Sequence, residues 1–282
     1  MTPPDSRIPP PAGLVQRAAH RLVDGPASTL ELARVALGLR GNPAAASKAV
    51  FTLLGTDPRF TVDAEGVWRL AENVPLPGPS LLHLDYAVVD VETTGGSWAR
   101  GARMTEVAVV PVTAGQVGEG FQTLVDPGRP IPPRIQGLTG ITDGMVRGAP
   151  AFEGVAPHVA RALEGRVFVA QNVNFDWGFI SSGLVHALGE APDPPRLCTL
   201  RLGRFLLPRL RSYGLDELTR YFGIRVHDRH RAHGDALATA RLLLHLLNEA
   251  AARGLHDLHT LNEALARGRS KAPSRPSRRS TP

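Results

Sequence analysis

The chain has 282 residues, 43% of them hydrophobic, and no apolar run nearing the roughly 18 residues that span a bilayer, so a helical membrane protein is excluded. Its single cysteine, Cys198, rules out an internal disulfide and completes no thiolate metal site, and the opening MTPPDSRIPPPAG lacks a signal-peptide core, so a cytoplasmic protein is the expectation. Of the 32 bases, six lie in an acid-free Ser/Pro/Arg tail from Arg267 onward, which leaves 26 bases against 26 acids elsewhere and assigns the net +6 to the tail.

Residues 1–13 are expected to be disordered. Residues 14–72 read as a separate small unit. Residues 14–22 are helix-periodic, and Ser28 or Thr29 is placed to cap a second helix in TLELARVALGL. Gly41-Asn42-Pro43 interrupts, residues 44–54 form a third helical run, and RFTVDAEGVWRL reads as a hairpin around Asp63-Ala64-Glu65-Gly66. Three helices and a terminal hairpin resemble a winged helix-turn-helix domain. Its third helix would carry Lys48 as its single base, with Arg59 and Arg69 in the wing, so DNA binding and a protein-docking or structural role both stay open. Residues 73–80, NVPLPGPS, are a linker by their Pro and Gly content.

The second domain is expected over residues 81–253. It opens on YAVVDVETTGG, a buried strand running into a tight turn. Asp90 and Glu92, two apart on a strand, share one face, while Val89 and Val91 share the other. Two adjacent carboxylates repel, and burial adds to the cost, so a hard divalent cation with oxygen ligands would suit the space between them; a solvated strand end is the plain alternative. Residues 103–112 and 116–125 alternate and read as a hairpin that continues an antiparallel meander. A Pro-rich turn follows over residues 126–133. Thr139 and Thr142 are placed to cap turns in IQGLTGITDGMV. A helix over residues 151–164 then leads into a strand over residues 166–170, the start of a parallel addition to the sheet.

That strand runs into VAQNVNFDWGFISSGL. Asn174 is a candidate cap for a helix whose first turn holds Asp176, where the helix dipole favours an anion, whether as a site carboxylate or merely as a stabiliser of its own helix. In HDRHRAHGDALATARLLLHLLNEAAA an amphipathic helix begins near Ala232, and His230 and Asp235 lie five apart along the approach to it. His227, His230 and His233 crowd this approach. A neutral histidine, with an ordinary pKa of about 6.5, can take a proton from water near neutral pH; nothing in the spacing resembles a zinc site. A helical extension is expected over residues 254–267. The basic tail, residues 268–282, cannot bury enough apolar surface to fold and suits either salt-sensitive phosphate contacts or plain solvation.

VDVETTG, then QNVNFD, then H-x-x-x-x-D in this order resemble the DEDDh 3′–5′ exonucleases, the family of the proofreading epsilon subunit of bacterial replicative DNA polymerase. The likeness runs from Leu81 to about Ala251 and takes in IQGLTGIT, CTLRLGRFLLP and SYGLDELTRYFGI. It implies a ribonuclease H-like mixed five-stranded sheet flanked by helices. It also implies Asp90, Glu92, Asp176 and Asp235 as ligands of two Mg²⁺ or Mn²⁺ ions, His230 as general base with His233 as its rival, and Thr93, Thr94 and Gly95 against the terminal nucleotide. Gln171 departs from the pattern, since many relatives carry a histidine there. The implied reaction releases nucleoside 5′-monophosphates from DNA 3′ ends in replication proofreading or repair. The implied partner is single-stranded DNA before RNA, and association with a DNA polymerase stays open. An RNA-processing exoribonuclease is the alternative within the fold, and a non-catalytic nucleic-acid-binding regulator the alternative outside it; loss of an acid would mark the latter, and all four are present.

Overall fold

The computed structural model describes residues 14–57, 59–71 and 80–270, in two compact units. The expected N-terminal and C-terminal disordered segments and nearly all of the expected linker lie outside the described residues, apart from residues 268–270, which continue the last helix.

The first unit contains α1 (Leu14–Val23), β1 (Ala27–Ser28), α2 (Thr29–Val35), α3 (Pro43–Leu54), β2 (Phe60–Val62) and β3 (Val67–Leu70). Ser28 caps α2, its hydroxyl accepting the Glu31 N–H at 3.2 Å. Asn42 Oδ1 accepts the Ala44 and Ala45 N–H groups, so α3 starts at Pro43, whose missing N–H costs nothing in a first turn. The hairpin β2–β3 is antiparallel, and β1 adds to its other side in the order β1-β3-β2. That strand escaped the sequence because two residues carry no periodicity. Trp68 anchors the core among Leu32, Val50 and Leu54, and its buried Nε1 donates to Thr29 Oγ1 at 2.9 Å.

In the second unit, β4 (Tyr86–Thr93) pairs antiparallel with β5 (Met104–Thr113), and β6 (Gln116–Val117) and β7 (Phe121–Leu124) both pair with β5. The short helices α4 (Pro133–Thr139) and α5 (Asp143–Val146) follow, with Thr142 capping α5. Next come α6 (Phe152–Leu163), β8 (Val167–Ala170), α7 (Val173–Leu188), β9 (Arg196–Cys198), α8 (Thr199–Leu206), α9 (Leu215–Tyr221) and α10 (Ala232–Ala252). Both β8 and β9 add parallel strands, giving a mixed sheet in the order β6-β5-β4-β8-β9 with β7 also on β5. The sheet has six strand segments where five strands were expected. The expected strand at 116–125 breaks across Gly118-Glu119-Gly120, where a Cβ at Gly120 would lie 3.0 Å from Val110 and 3.2 Å from the Val109 carbonyl. The short β9 sits between a Pro-rich turn and a helix, too brief for a pattern to form.

Ala87, Val89 and Val91 bury one face of β4 against α6 and α7, through Val155, Val159, Phe179, Ile180 and Leu184. Asp90 and Glu92 therefore project from the opposite face, as the period of two requires. The units divide after Leu81 and again after Asn248, so residues 249–270, including α11 (Leu258–Ser270), group with the first unit. The expected boundaries at 253 and 254–267 ran with the sequence; the chain instead returns. Leu81 N–H donates to the His256 carbonyl at 2.7 Å, and Asp257 caps α11 by accepting the Thr260 N–H at 2.8 Å.

Candidate active site

The site is built where β4 ends. Across the β4–β5 ladder Glu92 faces Glu106, a residue that sequence reasoning passed over. Glu106 is buried, and a lone acid inside the apolar run MTEVAVV was its only signal. Its carboxylate accepts two bonds from the Arg231 guanidinium, at 2.6 and 3.1 Å, and the Ala232 N–H at 2.9 Å. It thus fastens the start of α10 to β5.

The approach to α10 is not helical, and the helix starts at Ala232, where the sequence places it. Asp228 and His230 both take left-handed backbone conformations, with φ of 52° and 62°. The turn folds back on the helix so closely that a Cβ at Gly234 would lie 2.2 Å from the His227 carbonyl oxygen. Only glycine fits there. One turn into the helix, Asp235 comes beside the strand: one carboxylate oxygen each from Asp90, Glu92 and Asp235 lie within 4.8 Å of one another.

Asp235 Oδ2 accepts from the Arg229 guanidinium and from the His230 N–H at 3.3 Å, whereas its buried Oδ1 has no hydrogen-bond partner. A buried carboxylate oxygen is costly to leave unpaired. Three converging carboxylates, one with such an orphaned oxygen, fit a hard divalent cation. Arg229 is a second residue the sequence did not single out. It bridges Asp235 to Asp216 of α9, the latter at 2.6 Å, and its Nη1 lies 3.4 Å from His230 Nδ1.

Asp176 stands on the first turn of α7, buried, and outside the group of three. The capping position is Asn172 rather than Asn174, because the chain turns into the helix directly after β8 and Val173 is already buried as its first residue. Burial pushes the Asp176 carboxyl up to about 7, against the pull of the backbone N–H groups of Asp176 and Val91. Burial likewise raises Asp90 well above its ordinary value, helped by the charges of Asp176, Asp235 and Glu92. Glu92 is pushed up to about 8 by burial, then by Asp235 and Glu106. Asp235 is raised by burial too, with Arg229 opposing. Four carboxyls that resist ionising together describe a centre short of positive charge.

His233, on the first turn of α10, lies beside Gly120 at the β6–β7 break, 3.4 Å from the place a Cβ there would take. His230 instead neighbours Arg229 and Asp235. In the turn after β4, the Thr93 hydroxyl donates to the Gly95 carbonyl at 2.7 Å, and Thr94 is held by two bonds with the Arg103 backbone, at 2.8 and 3.0 Å. Gln171 belongs to the scaffold: its Nε2 donates to the Tyr213 carbonyl at 2.8 Å and its Oε1 accepts from the Thr199 hydroxyl. Cys198 is buried beside it, donating weakly to the Gln171 carbonyl. Among the described residues no helix is long and apolar enough to cross a membrane.

Residues 87–243 match the family described as Exonuclease. The DNA polymerase III subunit epsilon of Aquifex aeolicus is 36% identical over 170 residues, which cover 60% of this chain and 84% of that protein. The 3′-5′ exonuclease DinG of Bacillus subtilis is 38% identical over 164 residues, 58% of this chain but only 18% of that one. The match thus spans less than a fifth of that relative's length. Among solved structures, E. coli Exonuclease I in complex with a dT13 oligonucleotide superposes with a TM-score of 0.51 at 21% identity, covering 57% of this chain and 40% of that one, which speaks for the fold. With the family match spanning more than half of the chain, over the same stretch that brings the carboxylates together, this protein belongs to the exonuclease family.

Proposed function

We infer that the protein is a metal-dependent 3′–5′ exonuclease that releases nucleoside 5′-monophosphates from DNA 3′ ends, in replication proofreading or repair. The observation that carries this reading is the convergence of Asp90, Glu92 and Asp235 within 4.8 Å, with Asp176 near enough to raise the Asp90 carboxyl. These four would hold two Mg²⁺ or Mn²⁺ ions, which supply Lewis-acid stabilisation of phosphoryl oxygens and a lowered pKa for the attacking water. The remaining work falls to the chain's own side chains. Arg229 and the His230 N–H fix Asp235 through Oδ2, so that Oδ1 is the oxygen left for an ion. By the family's spacing His230 would take the proton of the attacking water; its backbone N–H is tied to Asp235, while His233 stands by Gly120. Thr93 locks the turn onto Gly95, and Thr94 and Gly95 are offered to the terminal nucleotide.

The N-terminal unit is read as winged helix-like from its element order. Lys48 is the single base of its third helix, and the wing arginines are spoken for, Arg59 by Asp57 and Arg69 by Asp63, each at 2.6 Å. Little charge is left there for a phosphate backbone.

The test is incubation of 5′-labelled single-stranded DNA and matched RNA with Mg²⁺, with Mn²⁺ or with chelator, beside Asp90→Asn. A metal-dependent ladder shortening from the 3′ end, absent in the variant, is the expected result, with DNA shortened faster than RNA. Folded protein that shortens neither strand in either metal would overturn the reading.

A further inference from the structure

Beside the turn that follows β4 is a cavity of about 430 Å³ that extends from Thr94 and Gly95, the two residues offered to the terminal nucleotide, to Gly96, Ser97, Arg100, Ala102 and Arg129, which the catalytic scheme leaves unused. No acidic side chain lines it, although Glu92 stands only two residues before Thr94. Arg196, Arg220, Arg229 and Arg231 of the same unit each face a carboxylate within 3.0 Å, whereas neither Arg100 nor Arg129 has an acidic partner among the described residues.

One arginine and the backbone of the turn are held in place. The Arg129 guanidinium donates to the Gly101 carbonyl, which anchors it across the turn while leaving its other N–H groups free. The turn holds itself by bonds from Arg100 N–H and Ala102 N–H to the Ser97 carbonyl, at 3.2 and 3.1 Å, and from Gly101 N–H to Trp98 O at 2.8 Å. The N–H groups of Gly95, Gly96 and Ser97 take no acceptor among the described residues. At Gly95 a side chain would meet the Ala102 methyl at 3.3 Å, so the absence of one keeps the cavity open. Two guanidinium groups without counter-ions and a run of consecutive unpaired amides have the chemistry of an oxyanion receptor, and the room suits a tetrahedral phosphate.

We propose that the part of this cavity beyond Gly95 is a phosphate site that grips a backbone phosphate of the substrate strand on the 5′ side of the scissile bond, through Arg100, Arg129 and the amides of Gly96 and Ser97. The site rests on the exonuclease reading above, for it places a cationic hold next to an acidic centre that would otherwise repel the strand. It takes a phosphodiester of an oligonucleotide, not the free monophosphate product.

Two substrates separate these claims: a 5′-labelled single-stranded oligonucleotide, and the p-nitrophenyl ester of thymidine 5′-monophosphate, which has no upstream phosphate. Arg100→Ala is the principal variant because its guanidinium makes no internal bond that folding needs; Arg129→Ala and the two lysine replacements accompany it, with melting curves as control. The ratio of oligonucleotide to ester kcat/KM should fall about tenfold in each alanine variant and recover in part with lysine. In chelator, oligonucleotide binding followed by fluorescence anisotropy should show a salt slope shallower by about 0.7 in each alanine variant. An unchanged ratio and slope in both would overturn the site. So would loss of inhibition by thymidine 5′-monophosphate with the slope unchanged, which would make it a product site. Should the wild type cleave neither substrate while the slope still drops in the variants, the phosphate site stands and the exonuclease reading falls.

Discussion

At the level of single residues, Glu106 sets the position of the others although it is no ligand. It answers Arg231 and the Ala232 N–H from the opposite side of the β4–β5 ladder, so its loss strands a cation and an amide at the start of α10. Glu106→Ala should cost about 2 kcal/mol in urea unfolding, the worth of hydrogen bonds to a charged group, since Arg231 is partly open to water. Divalent-ion affinity by calorimetry should fall about tenfold, because Asp235 loses its register against Asp90 and Glu92. A variant with full ion affinity would show that β5 does not govern the site. The sequence displayed Asp90, Glu92, Asp176, His230 and Asp235 because each sits in a short motif. Glu106 and Arg229 were hidden because their partners are distant or because the neighbouring motif drew the eye.

Among the elements, the approach to α10 departs furthest from what periodicity can tell. A stretch with positive φ at Asp228 and His230, folded onto Gly234, is coded by steric fit rather than by hydrophobic spacing. Gly234→Ala would drive a methyl into the His227 and Asp228 carbonyls, 2.2 and 2.5 Å away, and should destabilise the fold by about 2 kcal/mol or more in thermal melting. Metal-dependent cleavage should fall by a larger factor than stability alone explains, as Asp235 is displaced with the turn. Cleavage tracking stability one for one would count against that placement. The strands and helices of the sheet were legible in outline, from runs such as YAVVDV and RVFVA. Missed or altered were β1, β9 and the split of the edge strand, all short segments where glycine contacts or neighbouring strands decide.

Across the whole molecule, the unpaired carboxylates govern how stability responds to pH. In the unfolded chain Glu92 and Asp176 titrate near their ordinary values of 4.5 and 3.8, whereas folding raises them to about 8 and about 7. The folded state then binds more protons than the unfolded one. The stability these groups contribute is complete below about pH 4 and is lost as pH rises through 7 to 8. Asp57 and Asp216, held low by Arg59 and Arg229, act in the opposite sense, with stability lost only as pH falls below about 4. Metal-free protein should therefore melt at a higher temperature at pH 5 than at pH 8.5, and Mg²⁺ or Mn²⁺ should raise the melting point most at the upper pH. A chelated protein whose melting point stays flat or climbs between those values would contradict the burial of these acids.

The bond from Arg231 to Glu106 joins positions 125 residues apart, and Asp235 follows four residues later. During translation the hairpin with Asp90, Glu92 and Glu106 leaves the ribosome long before its partner helix exists. A nascent or truncated chain ending short of Asp235 lacks one of the three carboxylates that converge at the end of β4.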